Sequence, residues 1–133
     1  MPCTALLIVV LAAALAGCGT EPIACSAQLV AVTTTVVNHT ALALPYPQVV
    51  DTVVRTGVVF DFPANAQVPA LPVDSAAPVM ILSDDFLSRV RPDGDRVVVT
   101  MRAAERVARG EYLLGSDGCH VRKVEGSDSM VFR

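Results

Sequence analysis

Apolar and polar residues alternate in short stretches along most of the chain after residue 24, and Val and Thr are frequent in these stretches. Alternation with a period of two is typical of strands that bury one face, and β-branched side chains favour a pleated surface. Gly, Pro, Asn and Asp separate the stretches, as in turns. The pattern predicts strands at 25–37, 48–55, 57–62, 79–82, 96–101, 111–114, 119–125 and 129–132. The alternative for the second and third of these is a single bent strand with a bulge at Gly57.

Three segments do not follow this alternation. Residues 83–90 (SDDFLSRV) predict a short helix, in which Ser83 can cap the first turn and the adjacent acidic residues suit the positive end of the helix dipole. Residues 102–110 (RAAERVARG) fit a helix by composition, but we favour a strand that continues into an irregular edge. Residues 63–78 contain four prolines, which predict a long loop that either contacts a partner or only connects strands.

Seven or eight short strands separated by turns predict an all-β fold. We expect a small antiparallel β-sandwich or Greek-key barrel with at most one short helix. The chain has 133 residues, which is the size of one domain, and we place a single sandwich domain at 25–133. Since Trp is absent and aromatic residues make up 5% of the chain, the core must consist mainly of aliphatic side chains.

The charge distribution argues against one class of partner. The formal net charge is −3 and no Lys or Arg precedes Arg55, so no polybasic stripe is available to neutralise a nucleic-acid backbone. Six arginines lie within 89–109, but acidic residues are interleaved with them, which is typical of a solvated face. We therefore expect no nucleic-acid partner.

The N-terminus carries an apolar run at 5–16 (ALLIVVLAAALA). Twelve residues are too few to span a bilayer, for which a helix needs about 20 residues, and they match the apolar core of a signal peptide. The run therefore predicts an export signal rather than a membrane-spanning helix.

The run ends in Leu15-Ala16-Gly17-Cys18, which resembles the lipobox of bacterial lipoproteins. The resemblance implies a signal peptide at 1–17, removed before Cys18, and a lipidated tether at 18–24. In that family the cysteine thiol carries a diacylglyceryl group and the new amine can be acylated as well, and two or three chains make the anchor stable. The alternative is an ordinary signal peptide that leaves Cys18 as a free thiol. Both versions export the chain.

The lipobox resemblance also implies a location. Gly19 follows Cys18, whereas in many Gram-negative bacteria an Asp at this position keeps lipoproteins in the inner membrane. We expect attachment to the outer membrane, facing the periplasm or the cell surface. Residues 38–40 form an N-x-T glycosylation acceptor, which in a bacterium is a chance match.

The lipobox resemblance also implies how the four cysteines are used. Cys3 would leave with the signal peptide and Cys18 would carry lipid, so Cys25 and Cys119 would remain. Two cysteines exported together into an oxidising compartment are expected to form a disulfide, which would join the first strand to one of the last.

A second resemblance concerns the C-terminal stretch 116–126 (SDGCHVRKVEG). It is similar to the closing strand of small bacterial lipoproteins with a carboxypeptidase-regulatory-like (transthyretin-like) sandwich. In those proteins a Cys-His-Val strand pairs back toward an N-terminal Cys. The usual Gly-aromatic turn is missing here, and the resemblance implies a sandwich without implying a role.

No sequence motif for catalysis, cofactor binding or metal binding is present. The chain lacks G-x-S-x-G, H-E-x-x-H, a P-loop and a Gly-rich dinucleotide turn. Cys25, Cys119, His39 and His120 lack the spacing of a zinc site. A Cys119 nucleophile with His120 as base would need a reduced thiol, and neighbours in a strand point to opposite faces. We expect no catalytic residues, no metal and no cofactor.

Two functional hypotheses follow. The favoured one is a lipid-anchored, non-enzymatic binding or structural module of the cell envelope, which meets another protein or a polysaccharide through an edge strand or the proline-rich loop. The alternative is an envelope enzyme or metal-dependent site built from His39, His120 and nearby carboxylates. The distance between the two histidines discriminates between them.

Overall fold

The structure is a computed structural model and describes residues 24–60 and 68–133. This part of the chain forms eight strands, with one 3-10 helix, Asp84–Arg89, between the fourth and the fifth. The strands are β1 Ala31–Asn38, β2 Gln48–Val53, β3 Val59–Phe60, β4 Ala76–Ser83, β5 Asp95–Ala103, β6 Arg106–Ser116, β7 Val121–Gly126 and β8 Ser129–Phe132.

The strands form two sheets. The larger sheet has the order β3-β2-β5-β6-β7 and is antiparallel throughout. The smaller sheet has the order β4-β1-β8, in which β1 pairs antiparallel with β4 and parallel with β8. The predicted all-β sandwich is confirmed, and the parallel β1/β8 pair is a departure from a purely antiparallel arrangement. Because β1 and β8 are far apart in sequence, no tight turn forces them to be antiparallel.

The core lies between the two sheets and follows the period-two pattern. On β5, Val97, Val99 and Met101 are fully buried, while Arg96 and Arg102 are exposed. The smaller sheet contributes inward-facing side chains in the same way from all three of its strands. These are Val36 of β1, Val79 and Ile81 of β4, and Met130 and Phe132 of β8. Burial of each such side chain stabilises the fold by about 1.5–3 kcal/mol.

The strand bounds differ from the predictions at several places. β6 begins at Arg106 instead of residue 111, β7 begins at Val121 instead of residue 119, and β3 covers Val59–Phe60 of the strand predicted at 57–62, of which residues 61 and 62 lie outside the described residues. The first strand begins at Ala31 instead of residue 25, because residues 24–30 run outside the sheets. The strand predicted at 79–82 extends over Ala76–Ser83 and includes Pro78. A proline fits there because β4 is at the edge of its sheet, where one side of the backbone needs no partner.

The ambiguous segment 102–110 forms a hairpin. β5 ends at Ala103 and β6 begins at Arg106, so Ala104 and Glu105 alone connect them. Ala104 has a φ of 52°. The preference for a strand is confirmed, but the expected irregular edge is wrong, since β6 pairs with β5 continuously from Arg106 to Leu114.

The predicted short helix is present as the 3-10 helix, but Ser83 makes no side-chain cap hydrogen bond to it. Phe86 packs from this helix against Phe60, with 4.9 Å between the ring centroids. Within the described ranges, no helix has the length and apolar character that crossing a membrane requires.

The proline-rich stretch is partly anchored to the core. Residues 63–67 lie outside the described residues, but Val68 and Leu71 beyond them are buried. Leu71 and Leu44 exchange backbone hydrogen bonds of 2.9 and 2.8 Å. The later half of the predicted loop is therefore fixed, and its last residues belong to β4.

Asn38 organises the end of β1. Its side chain is fully buried, and Nδ2 donates to the carbonyl oxygens of Leu42, Leu71 and Pro72 at 2.9 to 3.1 Å. Its Oδ1 accepts hydrogen bonds from the amide and the hydroxyl of Thr40. This asparagine is a structural residue in the interior, which agrees with the interpretation of the N-x-T motif as a chance match.

Candidate functional site

The site is built around the disulfide between Cys25 and Cys119, whose Cα atoms are 5.2 Å apart. The predicted cysteine pair is therefore present. Both cysteines were expected to lie in strands, and neither does. Cys25 precedes β1, and Cys119 belongs to the turn between β6 and β7. The bond brings the following residues, Ser26 and His120, to the same place although 94 residues separate them.

Ser26, His120 and Asp84 form a continuous chain of hydrogen bonds. Ser26 Oγ lies 2.9 Å from His120 Nε2, and His120 Nδ1 lies 2.7 Å from Asp84 Oδ2. A proton on Nδ1 donates to the carboxylate and leaves Nε2 to accept the serine hydroxyl. This order of groups and ring nitrogens is the one found in Ser-His-Asp hydrolases. We call these three residues the Ser26 cluster.

Asp84 is the fixed member of the Ser26 cluster. Its Oδ2 accepts a hydrogen bond from the Val30 amide and its Oδ1 accepts one from the Val121 amide, both at 2.8 Å. Burial opposes ionisation of Asp84, but the hydrogen bonds from His120 and from these two amides outweigh it, so the pKa of Asp84 is lowered. Asp84 lies in the first turn of the 3-10 helix, as expected, but the amides that its carboxylate accepts come from before β1 and from the start of β7.

His120 is positioned by the turn in which it lies. Asp117 Oδ1 accepts the amides of His120 at 2.7 Å and Cys119 at 2.8 Å, and these bonds lower the pKa of Asp117. The sequence-based argument that Cys119 and His120 point to opposite faces assumed a strand. In this turn the rule does not apply, and the His120 side chain is largely buried against Asp84, with 18% of it exposed.

His39 is not part of this site. His39 directly follows Asn38, the last residue of β1. His120 lies at the other end of this strand, because its partner Asp84 accepts a hydrogen bond from Val30, the residue before β1. A strand of eight residues separates the two histidines by about 25 Å. His39 is exposed, and its Nδ1 lies 3.8 Å from Asp74 Oδ1. The structure therefore does not bring His39 and His120 together, and residues 24–60 and 68–133 contain no group of three or more His, Cys, Asp or Glu that could hold a metal ion.

Asp51 is a second unusual group, in the middle of β2. It is fully buried, and neither carboxylate oxygen has a hydrogen-bond partner among the described residues. Burial raises the pKa of Asp51 from its ordinary value of 3.8 to about 8. Tyr112, whose hydroxyl lies 3.0 Å from Thr34 Oγ1 between the sheets, has a pKa raised first by burial and further by the charge of Asp51.

Two surface clefts lie away from the Ser26 cluster. One, of about 390 Å³, runs between β6 and β8 along Val107, Arg109 and Met130. The other, of about 270 Å³, lies over the far half of β6 between Arg96 and Glu125.

Ser26 is the site residue that sequence reasoning missed. It belongs to no motif, and only its position beside Cys25, combined with the position of His120 beside Cys119, gives a signal in the sequence. A disulfide necessarily brings the neighbours of both cysteines close together, so the predicted pairing could have suggested this contact. The chain has no significant match to a protein-family model, a curated protein or a solved structure.

Proposed function

We propose that this protein is an exported envelope module, anchored by lipid on Cys18, with a non-enzymatic binding or structural role. The observation that supports it is the Cys25–Cys119 disulfide, since such bonds persist in oxidising compartments outside the cytoplasm. The disulfide uses both cysteines of the part of the chain that the structure describes. Cys18 lies outside the described residues and is the remaining cysteine after the proposed signal peptide.

The position of the disulfide agrees with a short tether. Residues 18–24 reach at most about 25 Å when fully extended. Cys25 lies at the end of the sandwich that also carries the 3-10 helix and the start of β7. In a lipidated chain the tether would therefore hold this end of the sandwich within about 25 Å of its attachment to the membrane.

Intact mass spectrometry of the protein from its native host tests the anchor. We expect a mature chain that begins at Cys18 and carries diacylglycerol, and a Cys18→Ala variant that lacks this mass and is not processed at Gly17. A mature chain that starts elsewhere, without lipid, would refute the anchor and leave a freely secreted protein.

The Ser26 cluster favours a second candidate function, ester hydrolysis. Ser26 Oγ would attack an ester carbonyl carbon while its proton passes to His120 Nε2. The same proton then moves to the departing alcohol, and water repeats the sequence to release the acid. Asp84 keeps the ring oriented and stabilises its charged form during these steps.

Two features favour the non-enzymatic proposal over hydrolysis. The bonds of Asp84 join the segment before β1 to the start of β7, which is a structural role that needs no substrate. A hydrolase also needs amide donors for the oxyanion, and the amides of Cys119 and His120 are already donated to Asp117.

A fluorophosphonate probe together with p-nitrophenyl acetate turnover separates the two candidates. The non-enzymatic proposal predicts neither covalent labelling nor turnover above that of Ser26→Ala. The matched control is Ser88→Ala, which removes an exposed serine from the 3-10 helix. Labelling that is lost in Ser26→Ala and kept in Ser88→Ala would establish the hydrolase instead.

A further inference from the structure

The side chain of Asp51 lies one strand from an edge of the larger sheet. It is fully buried, and among the described residues neither carboxylate oxygen has a hydrogen-bond partner. Asp51 pairs in register with Val99 of β5 on one side and with Phe60 of β3, the edge strand, on the other. Directly opposed residues of neighbouring strands point to the same face of a sheet. Phe60 is therefore the side chain that separates Asp51 from the sheet edge.

Few backbone bonds hold β3 in place. It pairs with β2 over two residues, whereas β2 pairs with β5 over six. A tight turn connects β2 to β3, in which Gly57 has a φ of 68° and its amide donates to the carbonyl oxygen of Val53. We call residues 57–60 the β3 flap. The flap can separate from β2 while β2 stays paired with β5, because local opening is easiest where few contacts must break.

Two contacts keep the β3 flap closed over Asp51. The ring of Phe60 is buried and packs against Phe86 of the 3-10 helix, with 4.9 Å between the ring centroids. The Val53 amide donates to the carbonyl oxygen of Val58 at 2.8 Å. If the flap lifts, water reaches the carboxyl group that the closed sandwich keeps dry.

The groups around Asp51 do not compensate its charge. β1, β3, β4 and β8 carry no charged side chain. Tyr112 on β6 is the titratable group that interacts electrostatically with Asp51, and the charge of Asp51 helps to raise the pKa of Tyr112. The charged groups of β5 and of the 3-10 helix are directed elsewhere: Asp95 binds Arg55, Asp84 binds His120, and Arg96, Arg102, Asp85 and Arg89 are exposed.

We propose that Asp51 and the β3 flap form a pH-sensitive switch, in which the flap closes over the neutral carboxyl, opens when the carboxyl ionises, and then leaves β2 as the exposed edge of the sheet. Opening replaces a dry environment by water, which solvates the carboxylate. The exposed edge of β2 presents backbone N–H and C=O groups that can pair with another strand. This inference goes beyond the proposed function and does not depend on lipid at Cys18.

The direction of the pH effect follows from the two forms of the switch. In the closed form, burial raises the pKa of Asp51 to about 8, and in the open form the hydrated carboxyl returns toward its ordinary pKa of 3.8. Between pH 4 and pH 8 the closed form therefore holds a proton that the open form releases. The equilibrium constant for opening should rise by about tenfold per pH unit in this range and level off above pH 8.

Amide hydrogen exchange of the purified full chain, followed by NMR from pH 5 to pH 7.5, tests the switch. Val53 and Val54 are matched probes on adjacent residues, because the Val53 amide donates to Val58 in the β3 flap and the Val54 amide donates to Arg96 of β5. We expect the protection factor of Val53 to fall by about tenfold per pH unit and to be insensitive to urea below the unfolding transition. Val54 should be better protected, and urea should accelerate its exchange, since global unfolding releases it.

Three variants separate the carboxyl from the flap. Asp51→Asn should make the protection of Val53 independent of pH, whereas Asp85→Asn, which changes an exposed carboxylate on the 3-10 helix, should keep the slope of the wild type. Phe86→Leu weakens the contact with Phe60 and should lower the protection of Val53 by about threefold or more at every pH, with the same slope.

The carboxyl carbon signal of Asp51 gives an independent measurement, and its titration midpoint should lie near pH 8. A midpoint near pH 4, or protection of Val53 that does not change with pH in the wild type, would overturn the proposal. So would an unchanged slope in Asp51→Asn, or equal protection and equal urea dependence of Val53 and Val54, because the flap would then open only by global unfolding.

Discussion

Asp51 is the residue whose chemistry is most altered by its place in the fold. It occupies an inward position of β2, in phase with the buried Val53 and paired in register with Val99 of β5. Because no described group donates a hydrogen bond to the carboxylate, the charged form is strongly disfavoured there. With a pKa of about 8, the side chain is protonated in the folded protein at neutral pH.

The raised pKa of Asp51 makes folding stability depend on pH. Between pH 4 and pH 8 the folded state holds a proton that the unfolded state releases, so the free energy of unfolding falls as pH rises, by up to about 1.4 kcal/mol per pH unit. We expect Asp51→Asn to remove this dependence and to be more stable than the wild type at pH 8. Urea unfolding of both proteins at pH 5, 6.5 and 8 measures how the free energy of unfolding changes with pH.

The exposed Asp85 on the 3-10 helix provides the control for this experiment. Asp85→Asn should keep the slope of the wild type. If stability curves of the wild type and Asp51→Asn run parallel from pH 5 to pH 8, the carboxyl of Asp51 is not the titrating group.

At the scale of elements, the β5/β6 hairpin shows a local conflict between sequence and conformation. Its two-residue turn places Ala104 at a φ of 52°, a left-handed conformation that an L residue with a Cβ adopts at a cost of roughly 1–2 kcal/mol. The long register between β5 and β6 fixes both ends of the turn and so imposes this conformation. The sheet stabilises the hairpin despite a turn residue that does not favour it.

Ala104→Gly should therefore increase the free energy of unfolding by about 0.5–1 kcal/mol, since Gly adopts a positive φ without steric strain and only part of the gain is lost to its greater backbone entropy. Chemical denaturation measures this increase in the free energy of unfolding, and the m-value should not change. Glu105→Gly is the control, because Glu105 does not have a positive φ and should gain nothing. A loss of stability in Ala104→Gly would show that the turn is not strained.

At the scale of the whole molecule, the disulfide joins the N-terminal segment to the closing part of the larger sheet. Residues 24–30 belong to no sheet and are held by the bond to Cys119, the Ser26 contact to His120 and the Val30 contact to Asp84. The bond closes a loop with a sequence separation of 94 residues. In the chain-entropy model such a loop contributes on the order of 4–5 kcal/mol, against a total of roughly 5–15 kcal/mol for a domain.

Replacement of both cysteines, Cys25→Ser together with Cys119→Ser, should lower the free energy of unfolding by roughly 3–5 kcal/mol. It should also release the segment before β1, seen as loss of amide protection at Val30. Thermal unfolding of the wild type, measured once with the disulfide intact and once after its reduction, compares the two forms of the same chain. Equal stability of the oxidised and reduced forms would contradict this role of the bond.

The sequence predicted the elements well wherever local pattern decides structure. Period-two alternation located the strands, and Val-rich stretches such as that of β5 form the core because burial of one face of a strand is a local property. The pairing of Cys25 with Cys119 followed from counting cysteines once Cys18 was assigned to lipid. Boundaries were less accurate at β1, β4, β6 and β7, where contacts with the neighbouring strand decide where pairing starts.

The sequence by itself determined the all-β fold of the described residues and the short helix at 84–89, because side-chain periodicity is a property of the linear chain. The pairing of Cys25 with Cys119 was predicted only with Cys3 assigned to the signal peptide and Cys18 to lipid. Only the tertiary structure decided that Ser26 meets His120, that Asp84 accepts hydrogen bonds from distant amides, and that Asp51 has no hydrogen-bond partner among the described residues. Each of these depends on contacts or strand order between segments far apart in sequence. Such contacts are fixed by how the two sheets pack, which no local pattern encodes.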